Sequence, residues 1–85
     1  MKKVVIKVDW DKNYEAAPAN DEIAVAVTGK TFDEIKKRME FSLHRHISGM
    51  LAGGDPVPAE FAGEFELVYH FEIRALLHYT EGIVS

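Results

Sequence analysis

A chain of 85 residues, 47% hydrophobic and 28% charged, is long enough for one small core and too apolar for disorder. The absence of cysteine excludes a disulfide framework, a thiolate metal site and a cysteine nucleophile, and places the expected compartment in the reducing cytoplasm. The net charge is −4, and Lys36-Lys37-Arg38 is the one basic cluster; this is the reverse of the basic stripe that duplex binding requires, and it favours a basic partner.

From Lys3 to Trp10 the residues alternate. Val4, Ile6, Val8 and Trp10 face one side, and Lys3, Val5, Lys7 and Asp9 face the other, as in a strand with one buried face. Lys7 and Asp9 break the apolar run, so the segment reads as neither a signal peptide nor a membrane span. Asp11-Lys12-Asn13 is a turn, and Tyr14 to Ala17 returns as a short strand. Pro18 ends that strand, because proline cannot donate to a ladder. Ile23 to Val27 is expected to form a third strand, with Ala24 and Ala26 leaving one face smooth.

Thr31-Phe32-Asp33-Glu34 has the form of a capping box, with the Thr31 hydroxyl taking one amide and Glu34 expected to reach back to the cap. Apolar residues at Phe32, Ile35, Met39, Leu43, Ile47 and Met50 make one helical stripe. The spacing predicts a helix from about Thr31 to about Leu51, stopped by Gly53-Gly54. Asp55-Pro56-Val57-Pro58 is an extended connection. Phe65, Leu67, Tyr69, Phe71 and Ile73 then alternate with more polar neighbours as a fourth strand. Arg74 to Tyr79 follows as a short helical turn ended by Gly82, and Ser85 suits a helix cap.

The order β-β-β-α-β with a short C-terminal helical turn predicts an α+β two-layer sandwich, with residues 1–85 in a single domain. A parallel return through a right-handed crossover sets the fourth strand beside the first. The sheet order is then 3-2-1-4, a partial ribonuclease-H-like topology.

Several segments resemble the N-terminal domain of the HicB-like antitoxins. They are the opening strand Val4-Val5-Ile6-Lys7-Val8, the Trp10-Asp11 turn entry, Tyr14 on the return strand, and the segment from Val27 to Ile35. In the last of these, Gly29 to Glu34 matches the family's Gly-x-Thr-hydrophobic-x-Glu entry to its single helix. The resemblance covers the chain from the first strand to the fourth. It implies a protein-binding domain that neutralises a small, basic, mRNA-cleaving HicA-like toxin by covering it. Asp9, Trp10, Asp11, Tyr14, Glu15 and Glu22 are the candidate contact residues. Their carboxylates suit mimicry of phosphate positions, although a plain solvated face is the default reading of such a set. Of the Pro-Asp-hydrophobic-Pro-Gly-Cys segment of many members, only Pro18 is kept. The family's C-terminal DNA-binding domain has no counterpart in residues 1–85, so no direct nucleic-acid contact is expected from this segment.

The topology also raises a two-metal nuclease, with Asp9, Glu40 and Glu72 as its carboxylates. Alternation opposes it: Asp9 and Glu72 point away from the face that the helix covers, where Glu40 lies. His44 and His46 are about 200° apart around the helix, and His70 and His78 fall on other elements, so no ligand set forms. Neither a Gly-x-Ser-x-Gly motif nor a phosphate loop is present. No catalytic residue, metal or cofactor is expected, and the protein is read as a non-enzyme.

Phe41 lies about 180° from the centre of the helical stripe. It reads equally as one ordinary exposed aromatic or, with Leu76 and Leu77 in the apolar tail and with open sheet edges, as part of the surface of a homodimer or higher homo-oligomer. The alternative function is a small dimeric ligand-binding or regulatory domain, which would show a roomy pocket with converging polar groups.

Overall fold

Alternation and turn chemistry set the first hairpin. β1 (Lys2–Asp11) buries Val4, Ile6 and Val8 on one face and exposes Lys3, Val5 and Lys7 on the other. β2 (Asn13–Pro18) returns antiparallel, with Trp10 opposite Tyr14 and Val8 opposite Ala16. Lys12 at the tip takes a left-handed φ of 72°, a conformation uncommon outside glycine. The computed structural model describes residues 1–84, with side chains through residue 82.

β3 (Val27–Gly29) is shorter and later than the alternation implies, pairing antiparallel with β2 through Ala16 opposite Val27. Continuing that register would set Val25 against Pro18, which has no N–H to offer the ladder. Ile23, expected on the strand, instead reaches the core from the connecting turn, where it is 2% exposed. The Glu22 N–H donates to Asn20 Oδ1 (3.0 Å) in that turn.

α1 (Phe32–Ala52) matches the expected helix. The Thr31 hydroxyl accepts the Glu34 N–H at 3.1 Å. Glu34, expected to reach back to the cap, pairs with Arg38 instead (3.1 Å). Gly29 permits the tight entry, since a Cβ there would stand 3.1 Å from Glu34 Cβ. At the far end Gly54 adopts φ +73°, the left-handed conformation that stops a helix, and the Asp55 N–H closes on the Met50 carbonyl (2.9 Å). Ile35, Met39 and Leu43 are buried on the sheet, and Phe32, Ile47 and Met50 pack at the rim. Phe41 faces solvent, 66% exposed, as its position on the helical wheel requires.

The connection from α1 is not simply extended. Ala59–Phe61 forms a 3-10 turn that drives Phe61 into the core, and the Lys2 ammonium donates to the carbonyls of Ala59 (2.7 Å) and Ala62. β4 (Phe65–Phe71) then lies parallel to β1, with Val4 opposite Leu67 and Val8 opposite Phe71. The sheet order is β3-β2-β1-β4, an α+β two-layer arrangement in which α1 covers one face.

The C-terminal segment departs from expectation. α2 (Ile73–Val84) is a helix of 12 residues that begins at Ile73, expected on the strand, and runs past Gly82. The ladder ends where the Glu72 N–H donates to the Val8 carbonyl (2.8 Å). The helix begins with the Leu76 N–H on the Glu72 carbonyl (2.9 Å). Ala75 is buried, whereas Ile73, Leu76 and Leu77 are exposed. Ser85, proposed as a cap, lies outside the described residues. Neither described helix is long and apolar enough to cross a membrane.

Candidate protein-contact site

The face of the sheet opposite α1 is bare, and three of its acidic residues gather at one end by strand register. Asp9 sits across from Glu15 on β2. One step beyond the Val8–Phe71 pair, Glu72 flanks Asp9 on the β4 side. The result is a row Glu15–Asp9–Glu72 across three strands. These three, with Lys7, Ala17 and Ala26, line a shallow depression of about 260 Å³. The alanines keep its floor low, so a long cationic side chain can lie flat and meet carboxylates on either side.

α2 braces this end from behind. Arg74 Nη2 donates to Asp9 Oδ2 at 2.7 Å, and the Trp10 N–H donates to Asp9 Oδ1 at 2.8 Å. These two bonds, Arg74 first, hold the Asp9 carboxyl below the usual aspartate range against the opposing effect of desolvation. Asp9, with Asp11 and Glu15 further off, in turn raises Arg74. On the helix side of β1, His78 stacks on Trp10 with ring centroids 3.5 Å apart, and Tyr14 meets both rings edge-on.

The six expected contact residues therefore separate into groups. Asp9 and Glu15 line the depression, and Asp11 is exposed beside it at the hairpin. Trp10 is half-buried under His78. Tyr14 is a core residue, 4% exposed, and does not belong to a contact surface; burial raises its hydroxyl above the ordinary tyrosine range. Glu22 is exposed in the β2–β3 turn, away from the row. Arg74 and Glu72 complete the site and were not read as contact residues in the sequence. Arg74 is 65 residues from Asp9, and no local pattern links them.

Glu40 stands on α1, on the opposite side of the sheet from Asp9 and Glu72. His44 turns Nδ1 toward the Glu40 carbonyl (2.7 Å), His46 is exposed on α1, His70 is exposed on β4, and His78 is stacked on Trp10. Among the described residues no group of three acidic or histidine side chains is placed to hold a metal ion. A second concavity, a groove of about 640 Å³, separates α1 from β4, with Glu40, His44, Leu67 and Tyr69 along it. The Tyr69 hydroxyl has no hydrogen-bond partner, and burial, with Glu40 adding to it, pushes its pKa up to about 12.

No protein-family model, curated protein or solved structure matches this chain.

The Asp9–Arg74 contact carries a pH signature. Because the folded-state pKa of Asp9 is depressed, the contact stabilises the fold above the ordinary aspartate pKa of about 3.9 and is lost as pH falls through the lower folded value. Carboxyl-carbon NMR titration should find Asp9 titrating below that value, and Arg74→Gln should move it back up. An Asp9 midpoint that Arg74→Gln leaves unmoved would remove the pairing from the account.

Proposed function

We propose that the protein is an antitoxin-type binding domain, acting in the cytoplasm, that neutralises a small basic RNA-cleaving protein by covering its cationic surface. The observation that carries the reading is the Glu15–Asp9–Glu72 row on an otherwise uncovered sheet face, in a chain of net charge −4. A bare sheet face with alternating charges offers a broad, flat contact. Opposite potentials then steer the encounter and fix its orientation. The resemblance of Gly29 to Ile35 to the HicB-like helix entry supports the same partner class. In this reading the domain works as a homo-oligomer, without chemistry of its own, without a cofactor and without touching nucleic acid.

Affinity capture on the purified protein, followed by mass spectrometry, identifies the partner. The captured protein is then produced separately and assayed for RNA cleavage. A basic ribonuclease of small size should be silenced at a stoichiometric amount of this domain. Glu15→Lys combined with Glu72→Lys should weaken that inhibition by roughly 10- to 100-fold, as expected for two reversed interfacial charges. Inhibition that the double variant leaves intact, or a partner without basic character or RNA-cleaving activity, would sink the proposal.

The groove between α1 and β4 favours a second reading, a small ligand-binding regulatory domain, because it combines Leu43, Phe65 and Leu67 with Glu40 and His44, above the buried, unpartnered Tyr69 hydroxyl. Thermal-shift screening against small amines and aromatic alcohols separates the two. A ligand whose stabilisation disappears in Tyr69→Phe would favour the groove.

A further inference from the structure

β4 is an edge strand whose outer side is open. Among the described residues neither a strand nor a backbone hydrogen bond from a loop occupies its outer side. Its sequence, Phe65-Glu66-Leu67-Val68-Tyr69-His70-Phe71, contains neither proline nor lysine, two usual devices that keep an edge from pairing, and its one formal charge is Glu66. The other edge, β3, has only three residues and is followed directly by Lys30. The inner side chains of β4 also remain half-buried, whereas those of β1 beside them are sealed.

Backbone direction shows which groups are free. The Glu72 N–H points at β1, so by alternation those of Glu66, Val68 and His70 point there too. The N–H and C=O groups of Phe65, Leu67, Tyr69 and Phe71 therefore face outward. Two copies of β4 laid antiparallel about Val68 pair all seven residues. Phe65 meets Phe71 and Leu67 meets Tyr69, both with their free backbone groups aligned, for about eight hydrogen bonds in all. On the bare face Val68 meets Val68, and Glu66 meets His70 of the second copy twice over, at the positions where side chains approach most closely. Val5, 42% exposed and paired with Val68 on β1, widens the apolar strip to four valines across the seam. A further pair would set Glu64 against Glu72, which confines the ladder to β4 itself.

We propose that β4 is the homodimer seam of this protein, joining two sheets into one of eight strands through this self-complementary register. The pairing does not depend on the antitoxin reading, since it requires only the protein itself. The exposed α2 stripe of Ile73, Leu76 and Leu77 is the competing interface.

Sedimentation velocity over a concentration series, combined with amide hydrogen exchange, tests the seam. The expected result is a dimer in which the Leu67 and Tyr69 amides exchange slowly, and a monomer for Val68→Lys, which sets like charges on the axis. His70→Glu should raise the dimer dissociation constant roughly 10- to 50-fold by opposing Glu66 twice, and Glu66→His added to His70→Glu should restore it. That restoration keeps the test valid if Val68→Lys fails to fold. A protein monomeric up to the millimolar range would overturn the proposal. So would a dimer indifferent to His70→Glu, or one in which the Leu67 and Tyr69 amides exchange freely, as dimerisation through α2 would give.

Discussion

Replacing Phe61 with alanine should destabilise the protein by about 3–5 kcal/mol, the usual cost of emptying a buried aromatic site. Phe61 is 1% exposed and is among the largest fully buried side chains, although it sits in a three-residue turn within a connection. Its ring meets Phe65 edge-on at 5.7 Å, so it ties the α1–β4 connection to the first residue of β4. A domain of this size has a total stability on the order of 4–13 kcal/mol, so the loss removes a large share of it. Phe61→Leu, which refills most of the volume, should recover more than half. Urea unfolding at one fixed protein concentration measures both variants, since any association makes the midpoint concentration-dependent. A Phe61→Ala protein within about 1 kcal/mol of the parent would mean that the connection is not docked.

Leu43→Ala should cost about 2–5 kcal/mol, by loss of transfer free energy and by the cavity left between α1 and the sheet. Leu43 is 1% exposed, one helical turn from Met39, in the buried stripe that α1 lays on the sheet. Phe41→Ala is the internal control. It removes a larger side chain from the same helix, but Phe41 is 66% exposed on the outer face, so the change should stay within about 0.5 kcal/mol. If the two variants unfold at the same urea concentration, the helical face has been assigned to the wrong side.

Helix α1, the β1–β2 hairpin and β4 were legible in the sequence because their signals are local. A threonine cap, a stripe at spacings of three and four and a terminal Gly-Gly are all contained within the element they describe. Alternation likewise sets which side of β1 is buried, and the crossover rule sets the sheet order. The position of Asp9 on the bare face follows from the same period.

Pairing and docking were decided only in three dimensions. The apolar pattern at Ile23 and Val25 is real, and Ile23 is indeed buried, but whether it lies in a ladder depended on what β2 could offer, and Pro18 offered no amide. Ile73 continues the alternation of β4, yet the ladder stops at Glu72 and the backbone turns into α2, with the Glu72 carbonyl accepting the Leu76 N–H. Gly82 then failed to end that helix, since glycine merely disfavours helix and does not forbid it. Phe61 became core through the fold of the connection that carries it. The Asp9–Arg74 bond and the stacking of His78 on Trp10 join residues far apart along the chain. A sequence period reports which face of an element is apolar; which distant element covers that face is set by the packing of the whole chain, and there the sequence by itself is silent.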